Sequence, residues 1–214
     1  MTLEGHWPLT EDSGSTAYDY SGNGNDGTIN GAGPAGTGTV TGPFGNSAYD
    51  FDGSNDIIDC GFSDDYTRLT VSCWVNWDTV NENGYVVSRY DTSSNSSAVF
   101  LLRENGTIDW GINDGGGNEI ISGPSASTGQ WYHIVGTWNG TTLKLYVDGF
   151  ERASSTNSNG PQASADNYTI GGSLNNEANV DGTISDVRIY SRALSPQEVQ
   201  ALYQAGVQSE VIFE

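Results

Sequence analysis

Asp19, Ser21, Asn23 and Asn25 place an oxygen-bearing side chain at every second position of a glycine-rich stretch, Tyr18 to Gly27. Calcium takes about 6–8 oxygen ligands, and an alternating Asp/Asn/Ser loop can supply several of them together with backbone carbonyls. The EF-hand uses a similar spacing, but here no helical pattern flanks the loop and no glutamate closes it. The competing reading is an Asx-rich turn held by its own side-chain hydrogen bonds, with no ion. The two histidines, His6 and His133, stand near Trp7 and Trp131, and neither has a serine or cysteine at a spacing that reads as a nucleophile pair. No phosphate-binding loop, zinc spacing or dinucleotide fingerprint is present.

Sugar recognition would need different residues: aromatic rings to stack on a sugar face, and Asn, Asp or Arg to bond its hydroxyls. Trp77, Tyr85, Arg89, Tyr90, Arg103, Trp110, Asn113 and Trp138 lie on or beside strands that could line one sheet. Trp110 shares parity with Ile108 and Ile112 and belongs to the core, which leaves the other seven as candidates. Arg89 and Arg103, on neighbouring predicted strands, could address an acidic sugar; as plain surface or salt-bridging arginines they would bind nothing. Sequons occur at Asn95, Asn105, Asn139 and Asn167, but Asn105 and Asn139 also have turn-forming reasons to be there.

The elements that must position these residues are strands. In Gly129 to Gly149, Trp131, His133, Val135 and Thr137 alternate with Tyr132, Ile134 and Trp138. Asn139-Gly140 then turns the chain into Leu143, Leu145 and Val147 against Lys144, Tyr146 and Asp148. Leu69 to Trp77 alternates just as cleanly. Weaker strands are predicted at Ala48–Phe51, Ile57–Cys60, Tyr85–Tyr90, Ala98–Arg103, Ile108–Ile112, Glu119–Ser122, Phe150–Ser155, Tyr168–Gly171 and Gly182–Tyr190. One helix is written at the end. Ser195 and Glu198 form a capping box around Pro196, Val199, Leu202 and Tyr203 make an apolar stripe, and Gly206 reads as the stop. Many short strands and one terminal helix predict a β-sandwich.

The 214 residues read as one domain, core about 3–206 with a tail at 207–214, large enough to bury a core without disulfides. Cys60 and Cys73 could pair or stay as buried thiols. The formal charge is −20, from 27 acidic residues against 7 basic ones, and Lys144 is the only lysine. Such a surface repels nucleic acid and anionic lipid and suits divalent cations or high salt. A salt-adapted host is one expectation, an ordinary acidic extracellular module the other. No apolar run reaches the roughly 20 residues of a membrane span, so no membrane insertion is expected. The start, Met-Thr-Leu-Glu-Gly, lacks the basic and apolar regions of a secretory signal.

The ordered motifs resemble the laminin-G-like domains of the concanavalin A-like lectin/glucanase superfamily. They are Gly5-His-Trp-Pro-Leu9, Asp19-Tyr-Ser-Gly-Asn-Gly-Asn25, Phe51-Asp-Gly53, Thr70-Val-Ser-Cys-Trp-Val75, Gly129-Gln-Trp-Tyr-His133, Leu145-Tyr-Val-Asp-Gly149, Ile170-Gly-Gly172, Gly182-Thr-Ile-Ser-Asp186 and Arg192-Ala-Leu-Ser195. The resemblance implies an all-β jelly roll of two curved antiparallel sheets with paired terminal strands, and Trp7, Trp74 and Trp131 as packing residues. It also implies carbohydrate or protein binding, often with structural calcium. A carboxylate from the last strand would join the loop, Asp186 first and Glu11 second. Enzymes of this fold carry Glu-x-Asp-x-x-Glu or Glu-x-Asp-x-Glu on one strand, and no such spacing occurs here.

The expectation is therefore a non-enzymatic, calcium-stiffened module on an extracellular or virion surface. It would bind a cell-surface glycan or glycoprotein and be displayed in several copies, as a homo-oligomer or within a particle. The alternatives are an architectural subunit that binds no sugar and an accessory domain of a carbohydrate-active enzyme.

Overall fold

The structure, a computed structural model, describes residues 2–34, 42–43, 48–80, 83–89, 98–102, 106–114, 117–156, 159–174 and 178–208; residues 33, 34, 98–102 and 208 are described by their backbone alone. Two antiparallel sheets form a jelly-roll sandwich. The strands are β1 (Leu3–Trp7), β2 (Thr16–Ala17), β3 (Gly27–Asn30), β4 (Gly33–Pro34), β5 (Tyr49–Asp52), β6 (Ile57–Asp59), β7 (Leu69–Trp77) and β8 (Gly84–Arg89). There follow β9 (Ala98–Leu102), β10 (Thr107–Asn113), β11 (Asn118–Ser125), β12 (Trp131–Trp138), β13 (Thr142–Val147), β14 (Phe150–Thr156), β15 (Thr169–Ile170) and β16 (Asp181–Tyr190), then helix α1 (Pro196–Gln208).

One sheet runs β14-β13-β12-β7-β16-β5-β4 in space, the other β11-β10-β9-β8-β15-β6-β3-β2. Strand β16 pairs with β7 along one edge. Along the other it meets β5 with residues 181–184 and β1 with residues 187–190, so the terminal strands are paired. The register shifts at Asp186, whose φ of 49° marks a bulge between those two partners.

Between the sheets, the inward parity of β7 (Leu69, Val71, Cys73, Val75, Trp77) meets that of β12 (Tyr132, Ile134, Trp138) and the rings of Trp7, Phe51 and Trp110. Trp110 lies flat over Gly136, where any Cβ would overlap its indole. Both cysteines are buried and free. Burial raises each thiol pKa well above its ordinary value, leaving both thiols protonated.

The outward parity of β12 and β7 is not all solvated. Helix α1 covers Val135 and Tyr146 with Leu194 and Val199, a second small core. Its start is the predicted capping box: Ser195 N–H donates to Glu198 Oε2 at 2.8 Å, and Glu198 N–H donates to Ser195 Oγ at 3.3 Å. Arg192 clamps the Glu198 carboxylate from outside. The stop differs from expectation. The helix runs through Gly206 to Gln208, and Gly206 is buried and is not at positive φ. The turn after β12 also shifts by one residue. Asn139 N–H donates to Thr142 O, placing Gly140-Thr141 at its centre, with Gly140 at φ 102°.

Replacing Ser195 by Ala removes one cap acceptor and is expected to cost about 1 kcal/mol. Urea unfolding should show a lower midpoint with an unchanged slope.

Candidate ligand-binding site

Because parity alternates, β7 and β12 send Trp74, Trp131 and His133 to the outer face, and the strand register sets His133 opposite Trp74 and Trp131 opposite Asn76. Helix α1 brings Tyr203 down on them. The Trp74 and Tyr203 rings stack at 5.8 Å and 20°, and His133 lies 5.1 Å from Trp74 and 6.1 Å from Tyr203. The Asp148-Gly149 turn takes positive φ at both residues, 54° and 80°. That curls the chain beneath Tyr203 so closely that a Cβ on Gly149 would lie 3.2 Å from its ring. Beside this stack opens a groove of about 270 Å³ lined by Pro43, Trp74, Gln130, Trp131, Asp148, Tyr203 and Val207.

The polar groups of the groove are half committed. Asp148 Oδ1 accepts the His133 N–H at 3.0 Å, and among the described residues Oδ2 has no partner. Burial pushes the Asp148 carboxyl up, against the pull of that hydrogen bond and of Arg152. Gln130 Oε1 accepts the Tyr132 hydroxyl at 3.3 Å, leaving its NH2 donors. Trp131 is partly exposed, and its indole makes no ring stack or hydrogen bond with a described residue. A planar aromatic surface with an amide donor and a carboxylate acceptor at its rim can hold a flat, hydroxyl-bearing ligand.

The sugar site expected from the sequence is not assembled. Trp77, Asn113 and Trp138 are buried at 2%, 6% and 5% exposure, and Trp77 and Trp138 are members of the inter-sheet core. Arg89, 2% exposed, lies over the Tyr168 ring, donates to the carbonyls of Ser63, Asp64 and Gln162, and pairs with Asp65. It ties two loops together, and a buried, fully bonded guanidinium has no donors left for an acidic sugar. Tyr85 is partly exposed on β8, away from the groove. Tyr90 and Arg103 lie outside the described residues.

The Asp19 loop is a hydrogen-bonded hub. Asp19 Oδ1 accepts N–H groups of His6 (2.9 Å) and Ser21 (2.8 Å), and Oδ2 accepts Ser21 Oγ–H (2.7 Å) and Asn25 N–H (2.9 Å). Burial works to raise this carboxyl, yet the four donors outweigh it and hold the pKa below the ordinary value. Asn23 and Asn25 turn their amide nitrogens to the Glu4 carbonyl. Asp186 is engaged elsewhere, with His6 Nε2 at 2.7 Å and Arg188 Nε at 3.0 Å. Against its burial, these bonds and the Arg188 charge keep it low. Glu11 accepts the Tyr18 N–H and the Tyr49 hydroxyl. Asp19, Ser21, Asn23, Asn25 and Asp186 therefore do not fit as one calcium cage. Asp19 has no lone pair to spare, and Asp186 faces two cationic or donor groups. Among the described residues no group of three His, Cys, Asp or Glu side chains could hold a metal.

Tertiary pairing makes one Ser–His contact that spacing alone does not reveal: Ser72 Oγ and His133 Nε2 are 3.0 Å apart. Both are buried, at 2% and 1%, and His133 Nδ1 meets no carboxylate among the described residues. Without a third member or access for a substrate, this is packing. Around β5 and the start of β16, burial and the charges of Asp78, Asp181, Asp56 and Asp52 raise the Asp50 carboxyl.

Two antiparallel sheets packed face to face, with an aromatic groove outside the core, define a lectin-like β-sandwich. The chain belongs to the concanavalin A-like lectin/glucanases superfamily, whose laminin-G family model matches residues 52–200. Among curated proteins it is similar to rat (Rattus norvegicus) sushi, von Willebrand factor type A, EGF and pentraxin domain-containing protein 1. The identity is 28%, over 63% of this chain and 4% of that protein. It is also similar to C-reactive protein of Oryctolagus cuniculus, 26% identical over 68% of each chain. Among solved structures, the botulinum neurotoxin serotype D binding domain superposes with a TM-score of 0.71 at 18% identity, covering 95% of this chain and 52% of that one. Domain 4 of AbnA, an extracellular arabinanase of family GH43 from Geobacillus stearothermophilus solved with arabinotriose, gives 0.67 at 22% identity, covering 95% and 98%. At these identities the two structures speak for the fold alone.

Three outcomes follow from these contacts. Arg89→Met strands three carbonyls and a half-exposed carboxylate and should cost roughly 2–4 kcal/mol in denaturant unfolding. Chelation by EGTA should leave the melting temperature unchanged, whereas Asp19→Ala should lower it. For His133, burial holds the ring near a pKa of about 3 against an ordinary 6.5. The unfolded chain thus takes up a proton below pH 6.5 that the folded chain refuses, and stability falls as pH drops through that window. Between pH 7.5 and 5 this amounts to about 2 kcal/mol, and His133→Gln should flatten that part of the stability–pH curve.

Proposed function

We propose that this chain is a non-enzymatic recognition module that binds a glycan or glycoprotein through the groove of Trp74, Trp131 and Tyr203. The observation that carries the reading is the partly exposed Trp131 indole beside Gln130 and Asp148, an aromatic platform with polar groups at its edge. An enzymatic role finds no support in the buried Ser72–His133 pair. The comparisons support recognition at a coarser level: the superfamily is lectin-like, and two superposed structures are a toxin's binding domain and an arabinanase domain bound to arabinotriose.

The ligand in this reading is presented on a surface, and the module works outside a cell or on a particle. Several copies on one particle, as on a virion, would convert weak single-site binding into avidity. A second reading, an accessory domain of a carbohydrate-active enzyme, draws on the arabinanase domain, which is matched over 98% of its length. Calcium enters neither reading through the Asp19 loop.

A glycan array probed with the whole chain should give hits, and Trp131→Ala should weaken them about 30-fold, the scale of an aromatic anchor. Circular dichroism should show the variant folded. Stable self-association with no glycan hit would instead favour an architectural subunit.

A further inference from the structure

The groove's charge narrows the ligand further, on the reading that this groove is the glycan site. Among the described residues its lining holds one carboxylate, Asp148, one amide, Gln130, and no lysine or arginine. Arg152 is in electrostatic reach of Asp148, but its guanidinium is placed over the Phe150 ring, 5.5 Å from its centroid, and is not part of the lining. The chain as a whole carries −20, so no long-range field draws an anion towards this face. A sialic acid, uronic acid or sulfated sugar seated on Trp131 would bring its negative charge against Asp148, with Arg152, outside the lining, left to offset it.

The aromatic geometry also argues against a compact cation. A cation cage surrounds its guest with ring faces, but Trp74 and Tyr203 spend theirs on each other, stacked 20° apart, and on His133. The face left over is that of Trp131, a single flat platform suited to the C–H side of a pyranose or furanose. At about 270 Å³ the groove falls just short of the roughly 300–1,000 Å³ pockets that enclose drug-sized ligands, a size for an end residue rather than a swallowed chain.

We infer that the groove selects an uncharged terminal sugar residue, stacked on Trp131, with hydroxyls donated to the free Asp148 oxygen and accepting from the Gln130 amide. Asp148 is the element of selectivity. Its Oδ1 is taken by the His133 backbone N–H, which leaves Oδ2 as the acceptor for hydroxyl hydrogens. An anion has none to give at that position.

The test is a binding titration of the whole chain against matched oligosaccharides, lacto-N-neotetraose and its sialylated counterpart, together with an array of neutral, sialylated and sulfated pairs at low and at high salt. The neutral member of each bound pair should win by about tenfold or more at low salt, with a smaller margin at high salt. Trp131→Ala should weaken binding to both members about 30-fold. Asp148→Asn keeps the acceptor for His133 N–H and tolerates the positive φ. It should weaken neutral binding several-fold and bring the neutral-to-acidic ratio close to one. Tighter binding of acidic glycans, lost in Trp131→Ala, would overturn this inference and leave glycan recognition at the groove standing. Glycan binding that ignores Trp131→Ala would remove both the inference and the groove from the proposal, and an array with no hits would remove glycan recognition altogether.

Discussion

Strand β7 is paired through its length with β12 on one side and along most of it with β16 on the other, and both faces of the first sheet depend on that pairing. Its inward residues, with those of β12, make the floor of the main core. Its outward residues Ser72 and Trp74, together with His133 of β12, make the seat on which helix α1 and Tyr203 rest. A slip of one residue would exchange the two sets, exposing Val71, Cys73 and Val75 and driving Trp74 into the core between the sheets. The register is thus held by two different cores at once.

The second constraint is the satisfaction of buried polar groups around the N-terminus. Strand β1 joins the sheet against the last half of β16, and its neighbourhood is rich in N–H groups that the ladder does not use. Asp19 gathers four donors, three of them from the turn that follows it, and Asp186 at the bulge of β16 takes His6 and Arg188. Two carboxylates that look like cation ligands along the chain are consumed in closing the sandwich. The same holds for Arg89, which caps the loops at 62–66 and 159–168 from inside.

This leaves binding capacity on the outer, helix-covered face. Aromatic rings there are partly used in packing and partly left over, because a short helix cannot cover the whole width of the sheet. Trp131 lies beyond its edge. The chemistry available at that edge is an aromatic surface with one carboxylate acceptor, Asp148, and one amide donor, Gln130.

The alternation of Leu69 to Trp77 and of Trp131 to Trp138 and the capping box at Ser195 were legible along the chain, since each is set by neighbours within a few residues. So was the membership of a two-sheet sandwich. What could not be read was which polar residue meets which. Asp19, Arg89 and Asp186 have the types expected of binding groups, and only the folded contacts, some across more than a hundred residues of chain, show their lone pairs and donors already spent. The groove was hidden for the converse reason. Trp74, Trp131 and Tyr203 read as packing residues, and Trp131 and Trp74 do stand on the strand faces opposite the main core, which was the one available signal. Sequence determined the elements and the faces, because those follow from local periodicity. Tertiary structure alone decided which aromatic was left uncovered, because that depends on where the helix ends relative to the sheet beneath it.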